Sequence, residues 1–257
     1  EVIAAQEAKP LLQMACDQLR AHGCQIAIGP LSGSTWHRYR LVTSLGRQLP
    51  FFMEPTNPAH YPTLFLENGF GVLANYYSTL CDRLEVDGQE LERYRQRFNA
   101  SGLQVRALNV HDIDNELERL HAVSTASFAC NFLYQNISVE EFKALYKPLI
   151  PLLDPSLVLL AEVESQPVGF VLLVPDLLAQ SAEQGKTIIV KTLARLPVKR
   201  LAGLGSLLLL ESMARAKDCG YQRSIHALMH EQNSSMNVCS TNHQLIRKYS
   251  LFSRSLL

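Results

Sequence analysis

Two glycines and three basic residues stand together in "RLPVKRLAGLGSLLLLE", from Arg195 to Glu211. Arg200, Gly203 and Gly205 are spaced R-x-x-G-x-G, with Lys199 beside them, directly ahead of a leucine-rich segment of helical character. Glycines lack Cβ, so their backbone N–H groups can come close to an anion. A helix that opens there adds unsatisfied N–H groups and the positive end of its dipole, which favour a phosphate or pyrophosphate. The spacing is not that of the nucleotide P-loop, and the dinucleotide pattern G-x-G-x-x-G is absent. Three other sets of residues could move protons. In "RSIHALMH" a strand period of two puts Ser224, His226, Leu228 and His230 on one face, so both imidazoles, with ordinary pKa values of about 6.5, point the same way. Glu162 in "LLAEVE" and Tyr249 in "IRKYSLF" are the others. Each also has a plain structural reading: a core hydrogen bond for either histidine, a solvent-facing carboxylate for Glu162, a sheet-packed ring for Tyr249. The cysteines are scattered, with no CxxC pair and no Cys/His spacing suited to zinc, so no metal is expected.

These groups need elements to hold them, and hydrophobic periodicity supplies an order for the second half. "LQVRALNV" alternates as a strand. "HDIDNELERLHAVSTASF" repeats at helical spacing, and "VEEFKALYKPLIPLL" is a second helical piece stopped by Pro148 and Pro151. "LVLLAEVESQ" and "PVGFVLLVP" read as two strands joined at a polar turn, and "KTIIVKTLARLP" as a longer one. A helix from about Ser206 to Asp218, capped at Gly220, leads to the strand "YQRSIHALMH", then a short helix and a last strand in "LIRKYSLFSR". The glycine turn therefore joins a strand to a helix in a mixed α/β sheet.

In element order and in motif this half resembles the GNAT superfamily of N-acyltransferases. There a strand ending near a proline leads into [Q/R]-x-x-G-x-[G/A], as "TLARLPVKRLAGLG" does here. The resemblance implies a GNAT-type mixed, mostly antiparallel sheet flanked by helices over residues 103–257, with acetyl-CoA as the default co-substrate. It implies that the pyrophosphate rests on the turn formed by Lys199, Arg200, Leu201, Ala202, Gly203, Leu204, Gly205 and Ser206. The pantetheine arm would lie between two splayed strands, bonded to the backbone of Leu193, Ala194 and Arg195, with Asn233 beside it. Acyl transfer to an amine needs a proton removed from nitrogen, an oxyanion held and a thiolate protonated. Glu162 and His226 are the candidate bases. Tyr249 is the candidate acid, because Ser240 stands where many family members keep an acidic tyrosine. The acceptor implied is a small-molecule or peptide amine. The alternative is a non-catalytic acyl-CoA-binding regulatory or interaction module.

The first half offers a second clue. "LLQMACDQLRAHGCQIAIGPLSGSTW" shares with "LLLESMARAKDCGYQRSIHALMHEQNSS" the layout of amphipathic helix, glycine, strand and polar turn, which reads as an internal repeat. Residues 1–102 are thus expected to be the later elements of a first GNAT-like unit, and 103–257 the acyl-CoA-binding domain. The charged segment Glu85–Gln96 is expected to be a solvated bridge between them. The aromatic and charged loop "GSTWHRYR" and the proline-flanked Glu54 are candidates for shaping a pocket. Composition restricts partners: 24 basic and 24 acidic residues in 257 give no global field toward nucleic acid or anionic membranes. No apolar run approaches the roughly 20 residues a spanning helix needs. Neither nucleic acid nor membrane is expected as a partner, and the scattered thiols read as those of a cytoplasmic protein.

Overall fold

The computed structural model describes residues 5–179, 185–232 and 243–257. Nine strands and six α-helices are found among them. They form two compact units, one of residues 1–79, 228–236 and 245–257, the other of 80–227 and 237–244. These bounds differ from the expected division at residue 102, because β9 (His243–Ser255) lies mostly in the first unit and α3 (Gly88–Asn99) in the second.

The second unit carries the order β8-β7-β6-β5-β4, from β4 (Leu103–Ala107), β5 (Val158–Val163), β6 (Gln166–Pro175), β7 (Thr187–Arg195) and β8 (Arg223–His230), of which β8 runs on into the first unit. Pairing is antiparallel from β4 to β7 and parallel between β7 and β8. Nearly every side chain of β5 and β6 is buried, as continuous apolar runs demand of strands covered on both faces. Helix α4 (Ile113–Phe128) buries Leu117, Leu120 and Ser124 at helical spacing. Helix α5 (Val139–Tyr146) is capped by Ser138, whose hydroxyl accepts from Glu141 N–H. Helix α6 (Leu204–Asp218) packs Leu204, Leu207, Leu208 and Met213 into the same core as β5, β6 and β7.

The segment expected to be a solvated bridge is largely helix α3 instead. Asp87 caps it by accepting from Gln89 and Glu90 N–H, and three apolar residues at spacings of three and four suffice to seat it: Leu91 and Phe98 are buried and Tyr94 packs beside them. Its polarity is that of the outer face, where Arg95 makes two bonds to Glu211 of α6, at 2.6 and 3.0 Å.

In the first unit, α1 (Ala5–Ala21) leads past Gly23 to β1 (Ile26–Gly29), and α6 leads past Gly220 to β8; both glycines have left-handed φ, 77° and 83°. The unit adds β2 (Leu41–Ser44), α2 (Tyr61–Glu67) and most of β3 (Gly71–Cys81). Its long β9 pairs antiparallel with both β1 and β2. Cys16, Ala27, Leu41, Phe70, Phe252 and Leu256 make its core. Among the described residues no helix is long and apolar enough to cross a membrane, and no cluster of His, Cys, Asp and Glu could hold a metal. Cys16, Cys24, Cys81, Cys130 and Cys219 are free thiols.

Candidate functional site

The β7–β8 ladder is short. It joins Thr187–Val190 to Arg223–His226 and stops there. At that point the register of β6 against β7 shifts, since Leu172 faces Thr192 while Leu173 faces Val190, leaving Lys191 as the extra residue of a bulge. Past the bulge, β7 continues on β6 alone through Leu193, Ala194 and Arg195. Leu196 N–H donates to Val168, so by alternation the N–H groups of Leu193 and Arg195 turn the other way, to the edge that β8 has left. Arg195 N–H meets Ser127 Oγ of α4 at 3.3 Å, a long bond that a better acceptor can replace. The two parallel strands therefore open a wedge whose β7 side presents strand-type donors.

The chain leaves this wedge directly into the glycine turn. Lys199–Leu201 form a single 3-10 turn, and Gly203, at φ 93°, starts α6 with no side-chain cap. The first backbone bond of the helix runs from Leu207 N–H to Gly203 O, which leaves the amides of the first turn without helical partners. No acidic residue lies in that turn, and Lys199 and Arg200 are exposed just before it. Gly203 is required here: besides its left-handed φ, a Cβ would meet Tyr94 Cε1 of α3 at 3.0 Å. Gly205 is different, since a Cβ there would touch only Leu193 Cδ2, at 3.8 Å. The cradle thus combines free amides, a positive helix end and two cations, and its chemistry fits a pyrophosphate.

The residues expected to move protons fall in three separate places. His226 is the last β8 residue in the ladder, at the point of the wedge. Burial, with His243 packed edge-on at 4.5 Å, pushes its imidazole down to about 3. It is therefore neutral near pH 7 and far from the pKa that suits a general base. His230 does not share its face. Leu228, at φ 61°, breaks the strand alternation, and His230 packs against Tyr76 at 5.0 Å in the first unit.

Glu162 is buried on β5 rather than facing solvent. Although burial opposes it, hydrogen bonds from Arg106 and Arg119 hold the carboxyl below its usual range. Arg106 Nη2 lies 2.5 Å and Arg119 Nη2 2.6 Å from Glu162 Oε1, while Arg106 also grips Glu116 at 2.7 and 2.8 Å. The cluster lines an open groove of about 780 Å³ between α4 and the β5–β6 turn. A carboxylate committed to two guanidinium groups is poorly placed to take a proton.

Tyr249 belongs to the first unit and is fully buried. Its phenol donates to Glu54 Oε1 at 2.7 Å and lies 3.1 Å from Ser78 Oγ, while Arg247 Nε sits 2.9 Å from the same carboxylate oxygen. Burial and the Glu54 charge push the phenol pKa up, so the proton stays on oxygen. Asn233 and Ser240 lie outside the described residues.

One phenol at the wedge escaped sequence reasoning. Tyr146, at the end of α5, is hydrogen-bonded to Thr192 beside the β7 bulge, and burial raises its pKa. The sequence presents it as one more apolar position of α5, stacked on Phe142 at 4.4 Å, and nothing in its spacing signals the reach to β7.

A sheet that opens between two parallel strands, the first leading through a glycine turn into a helix, defines the GNAT fold, and this chain has it. No protein-family model matches the sequence. A curated relative, the bacterial ceramide synthase of Caulobacter vibrioides, is 24% identical over 166 residues, which cover 65% of this chain and 43% of the relative. Among solved structures, the GCN5-related glucosamine N-acetyltransferase region of a fungal multi-domain GH3 β-N-acetylglucosaminidase superposes with a TM-score of 0.57 at 12% identity, over 95% of this chain and 27% of that one. A tandem GNAT protein from the clavulanic acid biosynthesis pathway gives a TM-score of 0.50 at 9% identity, over 96% of this chain and 69% of the other. The match thus covers less than half the length of the ceramide synthase.

Proposed function

We propose that the second unit is an acyl-CoA-dependent N-acyltransferase that moves an acetyl group to a primary amine by direct transfer. One observation carries this: the strand whose edge is left open by the splay is the strand that runs into an uncapped, cation-flanked helix start. The co-substrate supplies an activated thioester. The amides from Arg200 to Ser206, with Lys199 and Arg200, hold its pyrophosphate, and the N–H groups of Leu193 and Arg195 align its arm. A backbone N–H on the free edge of β7 steadies the carbonyl oxygen as negative charge develops there, without reorganisation. The amine nitrogen bonds to the carbonyl carbon, the carbon–sulfur bond breaks, nitrogen loses a proton to water, and the thiolate gains one. Tyr146 is better placed than Tyr249 to give that proton, because its phenol already reaches Thr192 at the wedge.

A second reading concerns the substrates. The ceramide synthase is named for a product that is the N-acylated form of a long-chain amino alcohol, and the likeness to it favours a long acyl chain and a lipidic amine. The layout shared by α1–Gly23–β1 and α6–Gly220–β8, together with the likeness to a tandem GNAT protein, supports a first unit built on the same plan. The test is thiol release from acyl-CoAs of two, eight and sixteen carbons against a panel of amines that includes a sphingoid base. Release that is amine-dependent and needs Gly203 supports the reading. Binding of every acyl-CoA with no release against any amine refutes transfer and leaves a binding module.

A further inference from the structure

The loop between β1 and β2 ends in an arginine whose charge is unanswered. Ser32 N–H donates to Arg38 O at 2.9 Å and Arg40 N–H to Pro30 O at 3.1 Å, folding the segment back on itself. Arg40 takes φ 67°, a left-handed conformation that side chains rarely adopt and that persists only where the surroundings impose it. Its guanidinium carbon lies 4.0 Å from the ring centre of Tyr39 and 4.3 Å from that of Tyr76. Tyr39 is also hydrogen-bonded to Arg40 and to Tyr76, and Tyr76 in turn packs on His230.

Stacking between two rings favours a cation, yet apart from the bond to Tyr39 it leaves the N–H fork without an acceptor. Arg40 Nη1 is enclosed and has no hydrogen-bond partner, and among the described residues Arg40 forms no ion pair. Arg119, Arg223 and Arg247 also enclose an Nε without a hydrogen-bond partner, but each of them has a carboxylate as counter-charge. Arg247 in the same unit faces Glu54 and donates to the carbonyls of Leu45, Ile246 and Gln48; Arg106, Arg119 and Arg223 each hold a carboxylate. The carboxylate beside the cage, Glu231, is taken by the backbone N–H and side-chain amide of Asn75, both at 3.1 Å. An enclosed guanidinium N–H without an acceptor is a costly feature for a fold to carry. Burial lowers the Arg40 pKa.

We propose that Arg40 anchors an oxyanion site in the first unit, in which a carboxylate or phosphate group of a small ligand accepts from the guanidinium N–H that Tyr39 and Tyr76 leave without a partner. The site lies wholly within that unit, so it stands whether or not the second unit transfers acyl groups. Arginine suits this task because its planar fork matches both oxyanions. The exposed residues Ser32, Gly33, His37 and Arg38 of the same loop give the ligand a way in.

The test uses the full chain and its own reporter. Trp36, the only tryptophan, is in the same loop. Inorganic phosphate and succinate are titrated separately, with sodium chloride at matched ionic strength as control, reading Trp36 fluorescence and the thermal midpoint. A saturable response to phosphate, succinate or both is expected. It should weaken at least about tenfold in Arg40→Lys and vanish in Arg40→Met, since a hydrogen bond to a charged group is worth that much. Phosphate alone would assign a phosphate-bearing ligand, succinate alone a carboxylate. Absence of any response beyond that to chloride overturns the proposal, as does a response equal in wild type and Arg40→Lys. Circular dichroism establishes that each variant folds; if Arg40→Met does not, Arg40→Lys and the wild-type titration decide.

Discussion

The two glycines of the turn should separate when each is replaced by alanine. At Gly203 the methyl group must be accommodated in a left-handed backbone, costing about 1–2 kcal/mol, and against Tyr94 Cε1 at 3.0 Å. Overpacking of that kind costs about 1–3 kcal/mol, so the sum is roughly 2–5 kcal/mol. The cheapest relief is for the first turn of α6 to unwind, and that turn holds the amides proposed to receive the pyrophosphate. Charge-assisted bonds are worth about 1.5–3 kcal/mol each, so acyl-CoA affinity should fall at least about tenfold. At Gly205 the methyl group meets only Leu193 at 3.8 Å in a helical backbone. Alanine there should stabilise by up to about 1 kcal/mol and leave affinity within about threefold. Calorimetric titration with acetyl-CoA and with a long-chain acyl-CoA reads the affinities, and urea denaturation the stabilities. Wild-type affinity in folded Gly203→Ala would show that the cradle is not the cofactor site. A loss in Gly205→Ala as large as in Gly203→Ala would refute the account of why the two positions differ.

Glu162→Gln removes the carboxylate shared by Arg106 and Arg119, and should destabilise by about 1–3 kcal/mol while turnover follows the folded fraction; lost turnover with folding and acyl-CoA binding intact would identify Glu162 as the base after all. The imidazole of His226 is depressed to about 3 in the fold. Below the unfolded value of about 6.5 the unfolded chain alone takes up that proton, so stability should fall with decreasing pH from about 6.5 toward 3. The slope from this group is about 1.4 kcal/mol per pH unit, read by urea denaturation across that range. His226→Leu should flatten the profile by that slope, and an unchanged profile would contradict the neutral, buried imidazole.

Much of the second unit was legible because its strands are apolar runs bounded by turn residues, and because the motif and element order around Gly203 point to one fold. Helix α3 was not legible, for its three seating residues are outnumbered by charges that serve only its outer face. The common face expected for His226 and His230 failed at Leu228, whose left-handed φ no residue type announces. The wedge itself depends on a bulge at Lys191, again without a signature in residue type. Glu162 could be recognised as a carboxylate on a strand, but its partners come from β4 and α4, 56 and 43 positions away. Arg40 stood in a loop noted for aromatic and charged residues, yet the missing counter-charge is visible only once Tyr39 and Tyr76 close on it.

The pairing of β9 with β1 and β2 bears on the order in which the chain can fold. Arg20 bonds to the carbonyl of Leu256, 236 positions along, and the core around Cys16 and Ala27 is closed by Phe252 and Leu256. During synthesis, β1 and β2 therefore lack their β9 partner while the whole second unit is made. Contacts so distant in sequence form slowly, and exposed edges are where misassembly begins. The core of the first unit is closed only by residues made more than 200 positions later.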